Sequence, residues 1–472
     1  MRRHKMFLAA YIAIAALSLW LRIAVPVFAI GNARHDDLLF VRLAYQLGAG
    51  TWLGPYDNLT LAKGMAYPAF ILASFLASLP LKIAEQAAYL AATGLMAWLM
   101  TRLTGRRCLA LLLFACLAFN PVLWTAPLAR VIREGLYVSL PLALIVLAAA
   151  VLLQRGVTRL ILLITVGLVG GVYWLTREEG IWIAPALAVS AAARELRPTF
   201  EGETGEFWRR IGCDQTRTNP CPEILSGWFI WAFRDAVAAA GHYTSGRDAM
   251  AFYRRLAAEI NAACDDHRIP CLPRRAVLAP PFRRHYLGEA LAASSALYRV
   301  LTHVGAESVG APISGVTAGH AIDVAELTVL ISRVVMRGDP PGIPVAREIL
   351  HSRQLVVMRG IAHLYQALVP ILTLLAGLGV LVAVILRRYR PLPDGVIVLA
   401  LVCATAVATR IALLAYLEVT SFPATHLLYL APATPFLLTF VVLGLYLTTL
   451  VLVETYNIWR EWRLTCSVQP MC

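Results

Sequence analysis

Apolar runs close to the length of a membrane span recur along this chain, and they constrain its fold more than any other feature. Clear examples cover residues 7–30, 109–124, 136–153, 364–386 and 428–453. A helix needs about 20 apolar residues to cross a bilayer. Only 15% of the 472 residues are charged, against about 25% in soluble proteins. The sequence therefore predicts an all-α polytopic membrane protein, and it excludes both an ordinary soluble enzyme and a disordered chain.

Positive charge is concentrated between and beside the apolar runs. The formal net charge is +14, yet residues 198–360 carry nearly balanced charges. Basic loops beside spans indicate the cytoplasmic side and can also bind anionic lipid head groups. Because no basic stripe is interleaved with aromatic residues on a soluble face, we expect no nucleic-acid partner.

The charge distribution divides the chain into four parts. We predict an N-terminal transmembrane module over residues 1–197, with an external loop over 31–67. A mostly helical, extracytoplasmic domain follows over 198–360, then transmembrane helices over 361–455 and a cytoplasmic tail over 456–472. The first apolar run could be a signal peptide, but its length favours an uncleaved span with the N-terminus inside.

The number of crossings before residue 198 depends on the short apolar run at 181–193. If this run crosses the membrane, residues 198–360 are cytoplasmic. If it is re-entrant, or if another short helix before it does not cross, they are external. The run at 364–386 ends in Arg387, Arg388 and Arg390, which indicates an inside end. The polar domain is therefore expected outside.

Four cysteines of the polar domain form two close pairs, Cys213 with Cys221 and Cys264 with Cys271. Two local disulfides in an oxidising compartment are the favoured interpretation. Zinc is the alternative, because His267 lies between the second two. The seven- and six-residue gaps are wide for zinc knuckles, so we favour disulfides.

The first external loop carries the residues best suited to chemistry. The adjacent carboxylates of Asp36 and Asp37 could act as a general base or hold a divalent metal such as Mg²⁺ or Mn²⁺. The cations of Arg34 and Lys63 could bind a phosphate. As an alternative, Asp36 could simply cap a surface helix, with Asp37 in its first turn.

This loop resembles that of GT-C membrane glycosyltransferases, such as the protein mannosyltransferases and the aminoarabinose transferases of lipid A. Their loop carries Asp-(Asp/Glu)-x-x-(Tyr/Phe) and ends in a Lys-Pro-Pro-Leu-like segment. Here residues 36–40 read Asp-Asp-Leu-Leu-Phe, and residues 63–68 read Lys-Gly-Met-Ala-Tyr-Pro, a degenerate match. The similarity covers roughly the first 200 residues as an arrangement of spans.

The resemblance implies a GT-C-like transmembrane helix bundle in the plasma (inner) membrane, with its active site on the extracytoplasmic face. It implies a sugar donor on a polyprenyl phosphate, a glycan, lipid or protein acceptor, and one inverting displacement. Asp36 would be the base, and Asp37 would orient the acceptor or bind a metal. Tyr67 lies in the second matched segment and would contact substrate.

Two segments that combine arginine and glutamate follow outward-facing run ends. One contains Arg130, Arg133 and Glu134, and the other contains Arg177 and Glu178. They could bind the donor phosphate, with Arg133 and Arg177 as first candidates, or they could be structural bridges between helices. We favour a role in the site because both converge on the face that carries Asp36. His426 borders the last outer loop and could also reach it.

Two other function classes fit a chain of this kind. A transporter or flippase for a lipid-linked saccharide would use the same cations to hold a phosphate. Transporters more often show two related halves and ionisable residues at mid-span, whereas here acidic residues cluster at one face. A non-catalytic envelope assembly protein would use the external domain instead. The enzyme is favoured over both.

Overall fold

The computed structural model of this protein describes most of the apolar part of the chain and a portion of the polar domain. The described residues are 2–25, 27, 36–37, 39–52, 54–57, 63–187, 233, 236–269, 284–310, 345–388, 392–420 and 424–468. Every regular element among them is a helix, and one isolated bridge pairs Thr125 with Val309. At this level the expected all-α polytopic architecture is confirmed.

The N-terminal part of the bundle consists of ten α-helices with short connections. These are α1 Arg2–Ile23, α2 Leu39–Gly48, α3 Ala66–Leu76, α4 Leu81–Thr104, α5 Arg107–Ala118, α6 Ala126–Ala129, α7 Glu134–Tyr137, α8 Ser139–Leu153, α9 Gly156–Thr176 and α10 Ala184–Leu187. A short 3-10 helix at Pro121–Trp124 follows α5. A second one, at Glu178–Ile183, precedes α10.

The remaining described helices come from the polar domain and the C-terminal bundle. They are α11 Gly246–Asp265, α12 Arg284–Thr302, α13 Val345–Leu386, α14 Asp394–Thr420, α15 Leu427–Leu430 and α16 Thr434–Val468. Small residues allow α13 and α16 to pack closely: a Cβ on Gly444 would overlap Ala376. Close approach through small residues is a common basis of helix association in membranes.

Seven helices of the described chain are long and apolar enough to cross a membrane, and a bent pair makes an eighth candidate. The pair is α3 and α4, whose axes meet at 108°. Pro80 immediately precedes α4, and proline removes the backbone N–H that a continuous helix would need there. The short helix α3 is therefore set at a steep angle to its neighbour.

The described residues after α9 do not form another span. They make a 3-10 helix and the single turn of α10, which contact α14. Counting the bent pair once, the described spans number eight, so the first and last begin and end at the same end of the bundle.

The two ends of the bundle differ in their charged residues. One end, called the basic end, carries Lys5, Arg102, Arg106, Arg107, Arg155, Arg159, Arg387 and Arg388. The other, called the site end, brings together the end of α1 and the starts of α4, α7 and α16. At that end Arg22 donates to the Leu128 carbonyl at 3.4 Å, and Asn120 donates to Thr434 at 2.9 Å.

Part of the polar domain packs on the site end. Tyr365 of α13 donates to the Leu301 carbonyl of α12 at 3.0 Å, and the Gly310 amide donates to the Trp124 carbonyl at 2.9 Å. The Ser245 hydroxyl caps α11, as its sequence predicts. Cys264 is disulfide-bonded. Cys213, Cys221 and Cys271 lie outside the described residues, so both pairings stay predictions.

The alternation of spans predicts opposite compartments for the two ends. Because basic loops are retained inside, a green fluorescent protein fused after Arg155 or Arg388 should fluoresce in the cytoplasm. Alkaline phosphatase fused after Asp57 or Ile269 should be active outside. The topology would be contradicted if green fluorescent protein fused after Ile269 fluoresced and alkaline phosphatase fused at the same position were inactive.

Candidate functional site

The two adjacent aspartates of the first loop have different environments. Asp36 is 38% exposed, and its Oδ1 lies 2.6 Å from the Lys63 ammonium nitrogen. Asp37 is fully buried. Arg130 donates two hydrogen bonds to its carboxylate, one from Nε to Oδ2 at 3.1 Å and one from Nη2 to Oδ1. A buried carboxylate needs such a partner, so Asp37 is anchored, while Asp36 faces the solvent.

The electrostatics of Asp36 follow from the cations around it. Burial alone would raise its pKa, but Lys63, with Arg133 and Arg130 behind it, stabilises the charged form and holds the pKa of Asp36 below its ordinary value. The pKa of Lys63 is also lowered, because burial and the charge of Arg133 outweigh the attraction of Asp36 and Glu134. Asp36 is thus a carboxylate that stays ionised within an excess of positive charge.

The two segments that combine arginine and glutamate meet at the site end. Glu134 Oε1 accepts from Arg177 and lies 4.0 Å from Nε of Arg133. Arg177 is 2% exposed, and its guanidinium lies over the rings of Tyr137 and Tyr429, 5.9 and 5.3 Å from their centroids. These contacts are typical of a structural bridge between helices, which was the alternative to phosphate binding in the sequence analysis. Arg133 is 12% exposed and lies nearer the surface.

A buried charged pair lies beneath the aspartates and was not predicted from the sequence. Lys82 and Glu85 lie one turn apart at the start of α4, and the Lys82 ammonium is 3.0 and 2.8 Å from the two Glu85 oxygens. Glu85 also accepts from the Tyr67 hydroxyl at 2.9 Å, and Arg22 lies 3.8 Å from it. Tyr67 therefore faces the interior. Two ionisable residues one turn apart within a span could have revealed this cluster.

His426 contributes a neutral imidazole at the edge of the site. Its Nδ1 accepts from the Leu428 amide at 3.1 Å, which places the proton of the neutral ring on Nε2. Burial and the charge of Arg130 lower its pKa. Close by, Arg410 Nε donates to the Tyr429 carbonyl at 2.9 Å. His426 thus lies close enough to Arg130 to feel its charge.

The geometry does not favour a divalent metal on the two aspartates. Each carboxylate already pairs with a cation, so a metal would have to displace Lys63 and Arg130. No group of three or more His, Cys, Asp and Glu side chains comes together within the described ranges. Arg34 and the side chain of Glu178 lie outside the described residues, so their expected roles stay predictions.

Comparison with family models, curated proteins and solved structures gives no match to this chain.

The Arg130–Asp37 pair yields a stability prediction. Arg130→Leu leaves the Asp37 carboxylate buried without its main partner, which should lower the free energy of unfolding by about 3–5 kcal/mol. The double variant Arg130→Leu with Asp37→Leu should recover most of that loss, because it removes both charges. Thermal unfolding in detergent measures both. Lys63→Met is the control, since its pair with the half-exposed Asp36 should contribute only about 1 kcal/mol or less; equal losses for Arg130→Leu and Lys63→Met would contradict the assignment.

Proposed function

We propose that this chain is an integral membrane glycosyltransferase that uses a polyprenyl-phosphate sugar as donor. It transfers the sugar to a glycan, lipid or protein acceptor of the cell envelope, on the outer face of the plasma membrane. The observation that carries the proposal is the position of Asp36. Its carboxylate is ionised, accessible and surrounded by cations, at the end of the bundle opposite the basic loops.

In the proposed reaction Asp36 is the general base. It removes the proton of an acceptor hydroxyl while the hydroxyl oxygen forms a bond to the anomeric carbon of the sugar. The bond between that carbon and the phosphate oxygen breaks, and its electron pair leaves with the polyprenyl phosphate. The proton ends on Asp36, and the anomeric configuration inverts. Base assistance of this kind contributes about a hundred- to ten-thousandfold to rate.

Cations near Asp36 supply the stabilisation that the leaving phosphate requires. Lys63, Arg130 and Arg133 all have partly exposed side chains near Asp36. Arg130 is committed to the buried Asp37 through two bonds, so we assign Lys63 and Arg133 to the donor phosphate. Preorganised charges aimed at a developing anion lower the barrier without reorganising during the reaction. Arg130 and Arg177 are engaged with buried carboxylates, and we assign them to holding the site together.

The Asp36 assignment is tested by Asp36→Asn in a transfer assay with purified protein and a panel of polyprenyl-phosphate sugars. The amide keeps the shape but cannot accept the proton. We expect normal folding, retained donor binding and a turnover at least about a hundredfold lower.

Asp37→Asn is the matched control for Asp36→Asn. It should mainly reduce the unfolding temperature, because the amide cannot replace the charge that Arg130 binds. Wild-type turnover in Asp36→Asn would remove the general base from the mechanism. Movement of donor lipid across vesicles without any transfer would instead indicate a flippase.

Arg133 and Arg177 should respond differently to replacement by alanine. Arg133→Ala removes a charge-assisted contact to phosphate, worth about 1.5–3 kcal/mol, so the KM for donor should rise about ten- to a hundredfold. Arg177→Ala leaves Glu134 buried without its partner and should mainly lower the unfolding temperature. Donor titrations and thermal unfolding of both variants measure this. If Arg177→Ala is stable and its KM for donor rises more than that of Arg133→Ala, the two assignments must be exchanged.

A further inference from the structure

The Lys82–Glu85 pair lies buried inside the bundle at the start of α4 and has no role in the reaction above. Both side chains are about 2% exposed. Removing two charges from water is costly, and well-packed apolar residues often replace such a pair with no loss of stability. Stability alone is therefore a weak explanation for the pair, and its other contacts indicate what it does.

One of those contacts is with Arg22 of α1, and two others reach segments that carry a residue of the proposed site. The Lys82 ammonium donates to the Arg130 carbonyl at 2.6 Å, and the side chain of Arg130 holds Asp37. Glu85 accepts from Tyr67, four residues after Lys63 in the chain. The pair thus connects the backbone of the buried anchor to the segment that begins with Lys63.

Glu85 also lies directly against the backbone of α7. A Cβ placed on Gly135 would overlap the Glu85 carboxylate, so only glycine allows this approach. Gly135 follows Arg133 and Glu134 in the chain. The segment that carries Arg133, the second residue assigned to the phosphate, is therefore packed on the same carboxylate.

We propose that the Lys82–Glu85 pair is the positioning element of the site, setting where Lys63 stands relative to Asp36 and Arg133. The inference rests on the proposed function for its catalytic consequence, but not for its structural one. A displacement of about 1 Å in a catalytic group can reduce rate about a hundredfold. The pair acts through Tyr67 and Arg130, and it does not touch substrate.

The lysine content of the chain permits a test that needs no substrate. The sequence contains three lysines, Lys5, Lys63 and Lys82. Lys5 is exposed at the basic end and serves as an internal reference, whereas Lys82 is buried. Pulses of acetic anhydride at increasing pH, followed by peptide mass spectrometry, therefore report the titration of Lys63. That titration depends on Asp36, Arg133 and Glu134, the charged groups around it.

Two variants should weaken the link between the Lys82–Glu85 pair and the Lys63 segment without unfolding the protein. Tyr67→Phe removes only the hydroxyl that joins Glu85 to the Lys63 segment. Lys82→Met with Glu85→Gln removes both charges, so neither is left buried alone. In both, the midpoint of Lys63 acetylation should move upward, toward that of an ordinary lysine. Transfer should fall about tenfold or more, with a smaller change in KM than in kcat.

Thr434→Val is the matched control, because it deletes two buried hydrogen bonds outside this cluster, one from Asn120 and one to the Ala431 carbonyl. It should lower the unfolding temperature but leave the Lys63 midpoint and transfer unchanged. An unchanged Lys63 midpoint in both cluster variants would overturn the proposal, whatever happens to transfer. A shifted midpoint in a protein that transfers no sugar from any donor would uphold the positioning and reject only the glycosyltransferase.

Discussion

A carboxylate taken wholly out of water must be matched by a cation, and the rest of this site is arranged around that requirement. Asp37 meets it through Arg130, which comes 93 residues later in the chain. The contact ties the loop after α1 to the segment between α6 and α7. Because Asp37 is fixed, its neighbour Asp36 is directed to the surface, where it meets Lys63. One buried pair thus determines which of two adjacent aspartates is accessible to solvent.

The same division between buried and accessible charges extends to the arginines. Arg177 is enclosed by Glu134 and two tyrosine rings, while Arg133 remains near the surface. Each accessible charge stands beside a buried pair that fixes its backbone. The proposed donor site would need both kinds, since accessible cations alone would be poorly positioned.

The spans could be predicted from the sequence because hydrophobicity is a local property. The convergence of residues 36–37, 63 and 130–134 at one end also followed from alternating spans. What the sequence could not provide was the pairing. Nothing local distinguishes Asp36 from Asp37, and their difference arises from a contact across the bundle. Lys82 and Glu85 were overlooked because charges at the start of an apolar run usually lie at the membrane surface, whereas here the bend before α4 turns them inward.

The bend between α3 and α4 has a consequence for the lipid around the protein. If α4 stands close to the membrane normal, a helix at 108° to it lies nearly in the plane of the interface. Exposed Leu76 and Leu79 then rest among the lipid head groups and upper chains. The height of α3 is therefore set by the thickness of the bilayer, while Tyr67 at its start is tied to the helix bundle. A change in membrane thickness therefore exerts a force on the loop that carries Lys63.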